Sequence, residues 1–421
     1  MMDLLITYKN KEKKKLAIVS GVFLTVFLLV GLPGLGVYPS PISALFGSGY
    51  RTNRTDKIEF DNESFKIETD AGLYGVGEFG ITWKEQAGIG AIKHMKRHII
   101  GLDPLNTEYI WQLLFRVDFF PGGRINAAAM SAIDIALWDI KGKALDQPVY
   151  MLLGGKMRDR IFCYTGIGGK TPEDCARVAK ERVAEGWKYL RMSVNDRDGI
   201  LEPRTAVRDS VEHFAAVREA VGPEIEICID VHTRLDPPDT IRLGRELEQY
   251  DPFFIEDPLR CENPQSYRHV RNHISCPMAV GEHYATKWEF RQMIEEELMD
   301  YARIDICNVG GLTEARKVAN WCETHYIKIV PHNPLGPVSA AACAHLDIAC
   351  DNFAVQEGGL VGRPVMEDLF PVQLPYEAGS LLPPENPGLG MEFNEAAAAN
   401  YEFKWLGGPT LSRADGSFTN W

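Results

Sequence analysis

No two of the nine cysteines stand in a Cys-x-x-Cys spacing, which removes a zinc ribbon and a dithiol redox motif from consideration. Nothing resembles a basic footprint either. Lys and Arg number 45 against 58 Asp and Glu, a net charge of −13, so nucleic acid is excluded as a partner. No low-complexity tract or short repeat interrupts the chain. The cysteines are odd in number and scattered from Cys163 to Cys350, several inside expected strands, as suits buried thiols in a reducing compartment. Cys322 and His325 lie close together on an expected helix, but no second ligand pair accompanies them. What remains is a chain of 421 residues, 45% hydrophobic and 24% charged, which is the composition of a folded globular protein. Its length fits a barrel of ~250 residues plus a smaller domain.

The N-terminus disagrees with a purely cytoplasmic reading. Lys9, Lys11, Lys13, Lys14 and Lys15 precede an uncharged, mostly apolar run from Leu16 to Val30. As a helix that run spans only ~22 Å, short of a ~30 Å bilayer core. Extending it to Val37 crosses Gly31, Pro33, Gly34 and Gly36. Residues 16–37 therefore read as a signal peptide, as a marginal anchor giving membrane contact and an exported barrel, or as a start-site artefact fused to a soluble enzyme. Asn53 and Asn62 each open a glycosylation sequon.

From about residue 58 the pattern becomes regular. Phe65–Thr69 and Leu73–Glu78 around the Asp70-Ala-Gly72 turn predict a β-hairpin. Helical patterns follow at 85–99, 107–117 and 126–145, the last with Met130, Ile133, Leu137 and Ile140 on one face. This is a small α+β capping domain over 58–155. Residues 156–360 then alternate strand and helix: eight strands at 160–164, 189–194, 225–231, 253–256, 278–282, 302–306, 327–331 and 353–357, with seven helices between them. That count is a (β/α)₈ barrel. The remaining residues, 361–421, form a Pro/Gly-rich tail expected to pack back on the cap, and 1–57 stand apart as an atypical segment.

Within the barrel, Asp230, Glu256, Glu282, Asp305, His332 and Glu357 recur at steps of 26, 26, 23, 27 and 25 residues, the length of one βα unit. Polar residues so spaced ring one mouth of the barrel, where such folds keep their chemistry. Asp230, Glu256 and Glu282 on three consecutive strands make an oxygen-only cage for a hard cation, Mg²⁺ with Mn²⁺ as the substitute. Asp305 and His332 on neighbouring strands make a carboxylate-oriented general base. His232, two residues beyond Asp230, is placed to act as a general acid. Gly75-Val-Gly77-Glu-Phe-Gly80 fits a dinucleotide fingerprint by letter only, since it lies in a hairpin rather than a strand–turn–helix.

The stretches IDVH, FFIEDP, VGEH, RIDICNVGGLTEA and VPHNPLGPVS, with IETDAGLYGVGE and ALWDIKGK upstream, resemble the enolase superfamily. The mandelate-racemase-like group fits best, in particular its galactonate-type sugar-acid dehydratases. The resemblance covers about residues 64–360. It implies Mg²⁺ on Asp230, Glu256 and Glu282, and proton removal α to a carboxylate by His332 with Asp305. It further implies protonation of the departing 3-hydroxyl by His232, a Glu357 hydrogen bond near the substrate carboxylate, and a homo-oligomer. Arg191 and His283 are candidate substrate contacts. Two departures stand out. Where racemases and epimerases of the family carry Lys-x-Lys, this chain reads Arg191-Met-Ser193, which disfavours two-base racemisation. The family's first strand and substrate-covering loop are not recognisable in 1–57, so weak turnover is expected. The expected reaction is loss of water from an aldonate to give a 2-keto-3-deoxy acid. The alternatives are a mannonate- or gluconate-type dehydratase, an acid-sugar epimerase, or a tethered, catalytically weak metal- and sugar-acid-binding protein.

Overall fold

The structure, a computed structural model, describes residues 55–61, 64–358, 366–401, 403 and 407–420. The apolar segment 16–37 and the sequons at Asn53 and Asn62 lie outside the described residues.

The cap begins with a strand that the sequence pattern did not reveal. β1 (Thr55–Asp61) pairs antiparallel with β2 (Ser64–Thr69), which pairs with β3 (Tyr74–Glu78). The expectation that 1–57 lacks a first strand is thereby corrected: the hairpin is the second and third strand of a three-stranded sheet. Its signal was present but short: Lys57-Ile58-Glu59-Phe60-Asp61 alternates charged and apolar residues, with only two apolar positions to mark the buried face. Three helices complete the cap: α1 (Glu85–Ile99), α2 (Thr107–Arg116) and α3 (Arg124–Leu145). Periodicity gave α3 a single apolar face. The structure buries it almost all round, from Ala127 through Ala144, because it lies between the cap sheet and the barrel.

Among the described residues, eight parallel strands form the barrel: β4 (Ile161–Gly166), β5 (Tyr189–Ser193), β6 (Glu226–Asp230), β7 (Ile255–Glu256), β8 (Met278–Val280), β9 (Tyr301–Ala302), β10 (Lys328–Ile329) and β11 (Gln356–Glu357). Each hydrogen-bonds the next. The ring closes where Gln356 pairs with Cys163 and an Ile329–Phe353 bridge joins the last two strands. Seven helices cross between them: α4 (Pro172–Ala184), α5 (Pro203–Val221), α6 (Pro237–Leu247), α7 (Gln265–Arg271), α8 (Thr286–Glu295), α9 (Leu312–Thr324) and α10 (Pro337–Ala349). α4 starts as its sequence dictates, with Pro172 in the first turn and the Thr171 hydroxyl accepting from the Asp174 N–H at 3.2 Å.

The tail reaches further than the cap. After β12 (Tyr376–Glu377), β13 (Ser380–Leu381) pairs antiparallel with barrel strand β4. The Leu389 N–H then donates to Asp139 of α3 at 2.9 Å. Farther on, Ser412 bridges to Ile200, and Asn420 donates to the Thr233 carbonyl at 3.1 Å, beside the end of β6. All nine cysteines are free thiols, eight of them buried. No helix among the described residues is long and apolar enough to cross a membrane.

Candidate active site

Strand ends at one mouth of the barrel carry the expected residues. Register sets Asp230 beside Glu256 on adjacent strands. The backbone turns sharply past three successive strands: His232, Thr233 and Asp257 adopt positive φ (49°, 58° and 36°), as does Gly281 at 142°. Such conformations cost a side-chain-bearing residue energy and persist where surrounding contacts impose them. At Gly281 a Cβ would fall 2.7 Å from the Phe290 ring, so only glycine lets the chain deliver Glu282 to the mouth.

The acids are buried and bound to two arginines. Arg191 Nη1 donates to Asp230 Oδ2 at 2.6 Å and to Glu256 Oε1 at 3.2 Å, and lies 3.6 Å from Glu357. Arg303, wholly buried, places Nη2 at 2.6 Å from Glu256, 3.3 Å from Glu282 and 3.0 Å from Glu357, while its Nη1 donates to the Tyr164 hydroxyl at 2.7 Å. Glu357 also accepts from the Asn333 N–H at 2.8 Å. His332 Nδ1 meets Asp305 Oδ2 at 2.7 Å, and its Nε2 lies 3.3 Å from Glu282. His232 holds Asp230 twice, through its own N–H and through Nε2, both at 2.8 Å.

Burial and these partners compete over each proton. Burial drives the Glu256 carboxyl up to about 8 even against Arg303. Burial also acts on Glu282 and Glu357, but there the cations prevail. His332 and Arg303 hold Glu282 well below the carboxylate range, and Arg303 and His332 hold Glu357 at about 2. Asp230 is likewise lowered, burial being overcome by His232 and Arg191. Burial pushes the His332 imidazole down, yet Glu282 and the Asp305 hydrogen bond raise it to about 9.

Not all the expected residues converge in the expected way. Glu256 and Glu282 bring carboxylate oxygens within 4.8 Å of one another, but the third member of that group is Asp257. Asp230 faces Arg191 and His232 instead. Asp257 Oδ2 is buried without a hydrogen-bond partner, and burial and Glu282 push its carboxyl far up. His283 approaches Glu282 Oε1 at 3.6 Å and shares a hydrogen bond with Cys261, whose thiol also accepts from Arg124 at 3.2 Å. Burial pushes that thiol up, but His283 and Arg124 bring it below its ordinary value.

Sequence reasoning missed Arg303, Tyr164, Asn333, Asp257 and Cys261. Arg303 was within reach of it. It stands two residues before Asp305 in an otherwise apolar run, and side chains two apart share one face of a strand. Asp257 directly follows Glu256, and alternation along a strand sends it to the other side unless the backbone turns, as it does here.

Comparisons with known proteins agree with this architecture. Residues 64–154 match the mandelate racemase/muconate lactonizing enzyme N-terminal domain, and residues 174–397 match the enolase C-terminal domain-like family. A D-galactonate dehydratase family member from Streptomyces bingchenggensis is 36% identical over 387 residues, spanning 85% of this chain and 94% of the relative. A D-mannonate dehydratase from Caulobacter sp. is 34% identical over 385 residues, with 85% and 95% covered. Among solved structures, a Pantoea ananatis enolase-type protein with bound D-gluconate and Mg superposes with a TM-score of 0.80 at 30% identity, covering 88% of this chain and 99% of that one. The chain belongs to the mandelate racemase/muconate lactonizing enzyme family of the enolase superfamily.

Proposed function

We propose that this chain is a Mg²⁺-dependent hydro-lyase that removes water from a sugar acid, an aldonate of galactonate type, to give a 2-keto-3-deoxy acid. The observation that carries the reading is the imidazole of His332, fixed through Nδ1 by Asp305 at 2.7 Å beside a convergent set of acids. The relatives point the same way, one being a D-galactonate dehydratase family member and the other a D-mannonate dehydratase.

The donor set fits a hard divalent cation: every candidate ligand is a carboxylate, and Asp257 offers a buried oxygen with no other partner. Asp230, Glu256 and Glu282 would hold it, with Asp257 adjoining. When bound, such a cation supplies Lewis-acid stabilisation of charge developing on the substrate carboxylate. The chain's own residues do the rest. His332 Nε2 removes the C2 proton, and Asp305 keeps the ring in the tautomer that leaves Nε2 able to accept. His232 delivers a proton to the 3-hydroxyl, the C3–O bond breaks, water leaves, and the resulting enol tautomerises to the ketone. Arg303 and Glu357 form the floor beneath the reacting carboxylate, and Arg191 and His283 stand at its edge as substrate contacts.

This reading divides the chain into segment 1–54, a cap that starts with β1 and runs to 155, barrel 156–360 and tail 361–421; the match over 64–154 supports the cap, and that over 174–397 runs through the barrel into the tail. It also carries a homo-oligomer and a reducing compartment, the latter supported by nine free thiols. Arg191 in place of a lysine base favours elimination over epimerisation. The test is a Mg²⁺-dependent screen of aldonic and aldaric acids scored for 2-keto product. Product from one or a few stereoisomers supports the reading, and no product across the panel refutes it.

A further inference from the structure

Away from the barrel, one cluster on the cap has no part in the reaction proposed above. His94 and His98 lie one turn apart on α1, and Asp118 lies just past the end of α2. His94 Nε2 is 3.1 Å from Asp118 Oδ2, and His98 Nε2 is 3.4 Å from Asp118 Oδ1. The three ligand atoms all fall within 4.8 Å of one another. A tetrahedral ion with bonds of about 2.0–2.2 Å to nitrogen and oxygen places its ligand atoms roughly 3.3–3.5 Å apart. The cluster therefore stands close to that geometry without rearrangement of its backbone.

We propose that His94, His98 and Asp118 form a surface binding site for a borderline divalent transition ion of the Zn²⁺ class, chemically separate from the oxygen-only barrel mouth. Two imidazoles and one carboxylate select such an ion and are poor ligands for Mg²⁺, whereas an all-carboxylate set favours the hard ion. The backbone on either side of Asp118 is held, since Val117 N–H bonds the Leu113 carbonyl at 2.8 Å and Phe119 N–H bonds that of Arg116 at 3.3 Å. His98 and Asp118 also lie at the C-terminal ends of two helices, where backbone carbonyls favour a cation, with His94 one turn further in. With His94 and Asp118 about half exposed, a fourth position opens to water.

The cluster already attracts positive charge. Arg97 Nη2 lies 2.9 Å from His94 Nε2 and 3.1 Å from Asp118 Oδ1, and its Nε donates to His98 Nε2 at 3.0 Å. Its side chain is 58% exposed, so it can swing into water as an ion takes its place. Arg97 is thus the competitor, and this sets the site apart from a mere salt-bridge cluster. A metal site gains affinity when Arg97 is removed, while a cluster organised by Arg97 loses its order.

The test uses full-length, tag-free protein, stripped of metal and then held in saturating MgCl₂, with ZnCl₂ titrated by equilibrium dialysis. The expected result is one Zn²⁺ per chain more for the wild type than for H94A/H98A, and binding about tenfold or more weaker in D118A. R97A is expected to bind a few-fold more tightly, and turnover in Mg²⁺ is expected to be unchanged in all these variants. Equal Zn²⁺ stoichiometry in the wild type and H94A/H98A would overturn the proposal. So would an R97A variant that loses Zn²⁺ as the histidine variants do.

Discussion

Among the described residues, two groups of buried or nearly buried carboxylates have partners that differ in kind. At the barrel mouth, Asp230, Glu256, Glu282 and Glu357 meet the side chains of Arg191, Arg303, His232 and His332. At the seam between cap and barrel, Glu78, Asp134 and Asp139 meet mainly backbone N–H groups. Glu78 accepts from Gly336 and Ser339 at 2.7 and 2.8 Å, capping the start of α10. Asp134 accepts from the Thr313 N–H and hydroxyl at 2.9 and 2.5 Å, at the start of α9. Asp139 accepts from Val76 and Leu389, at 3.1 and 2.9 Å, and from Lys143 at 2.7 Å. A carboxylate committed to backbone donors holds elements together and has little capacity left. One held by mobile or titratable side chains can exchange those partners for an ion or a substrate. Burial alone does not separate the two sets, but partner type does.

The sharpest way to break this contrast is at the mouth. His332→Asn is expected to lower kcat by about 10²–10⁴-fold, the usual range for a general base, and to abolish C2–H exchange in deuterated water. The thermal midpoint should stay near wild type, because the residue supports no other element. Unimpaired exchange would remove His332 from the role of base. His232→Asn is expected to stop elimination while sparing exchange, and an equal fall in both would show that the two histidines do not divide the work.

A smaller effect is expected on metal binding. Removing a group that merely orients a ligand costs 10–100-fold in affinity, so Glu256→Gln, which removes a ligand itself, should cost about 10²-fold or more. Calorimetry on Asp230→Asn and Asp257→Asn then settles which carboxylate completes the cage. A large loss in the first and a small one in the second supports the strand-end set, and the reverse supports the group that converges in the structure.

Much of the mouth was legible because a barrel repeats. Strand ends fall at one interval, so Asp230, Glu256 and Glu282, in step along the chain, come together at one mouth. The seam has no such period. Asp139 and Leu389 are 250 residues apart, and Glu78 and Ser339 are 261 apart, so nothing local announces the pairing. β1 was lost for another reason: its charged–apolar alternation over Lys57–Asp61 holds only Ile58 and Phe60 as apolar residues, and the pairing with β2 that makes it a strand is not read from so short a run. The tail's return to β4 and to Thr233 was likewise hidden, because strands of two residues carry no readable pattern.

The seam should answer to stability measurements and leave the chemistry alone. Asp139→Asn leaves buried donors poorly matched and is expected to cost about 1–3 kcal/mol in unfolding free energy. The ratio of exchange to elimination at the mouth should not change, and a change in it would show that the two acidic regions are coupled.

A last expected effect appears only as pH changes. Burial raises the Asp134 carboxyl to about 7, against the Thr313 hydrogen bonds that favour its charged form. In the unfolded chain the group titrates near 3.8, so the folded state holds its proton more tightly. Its contribution to stability is therefore full below about pH 4 and is lost as pH rises toward about 7, by at most about 1.4 kcal/mol per pH unit. Asp134→Asn cannot ionise and loses nothing over that range. Urea unfolding of both proteins at pH 5, 6, 7 and 8 isolates the difference, because every other titrating group is common to the two. Wild-type stability should fall relative to the variant between pH 5 and 7 and run parallel to it above. Parallel curves throughout would show that Asp134 is ionised in the fold, held by Thr313 as firmly as the mouth acids are held by their arginines.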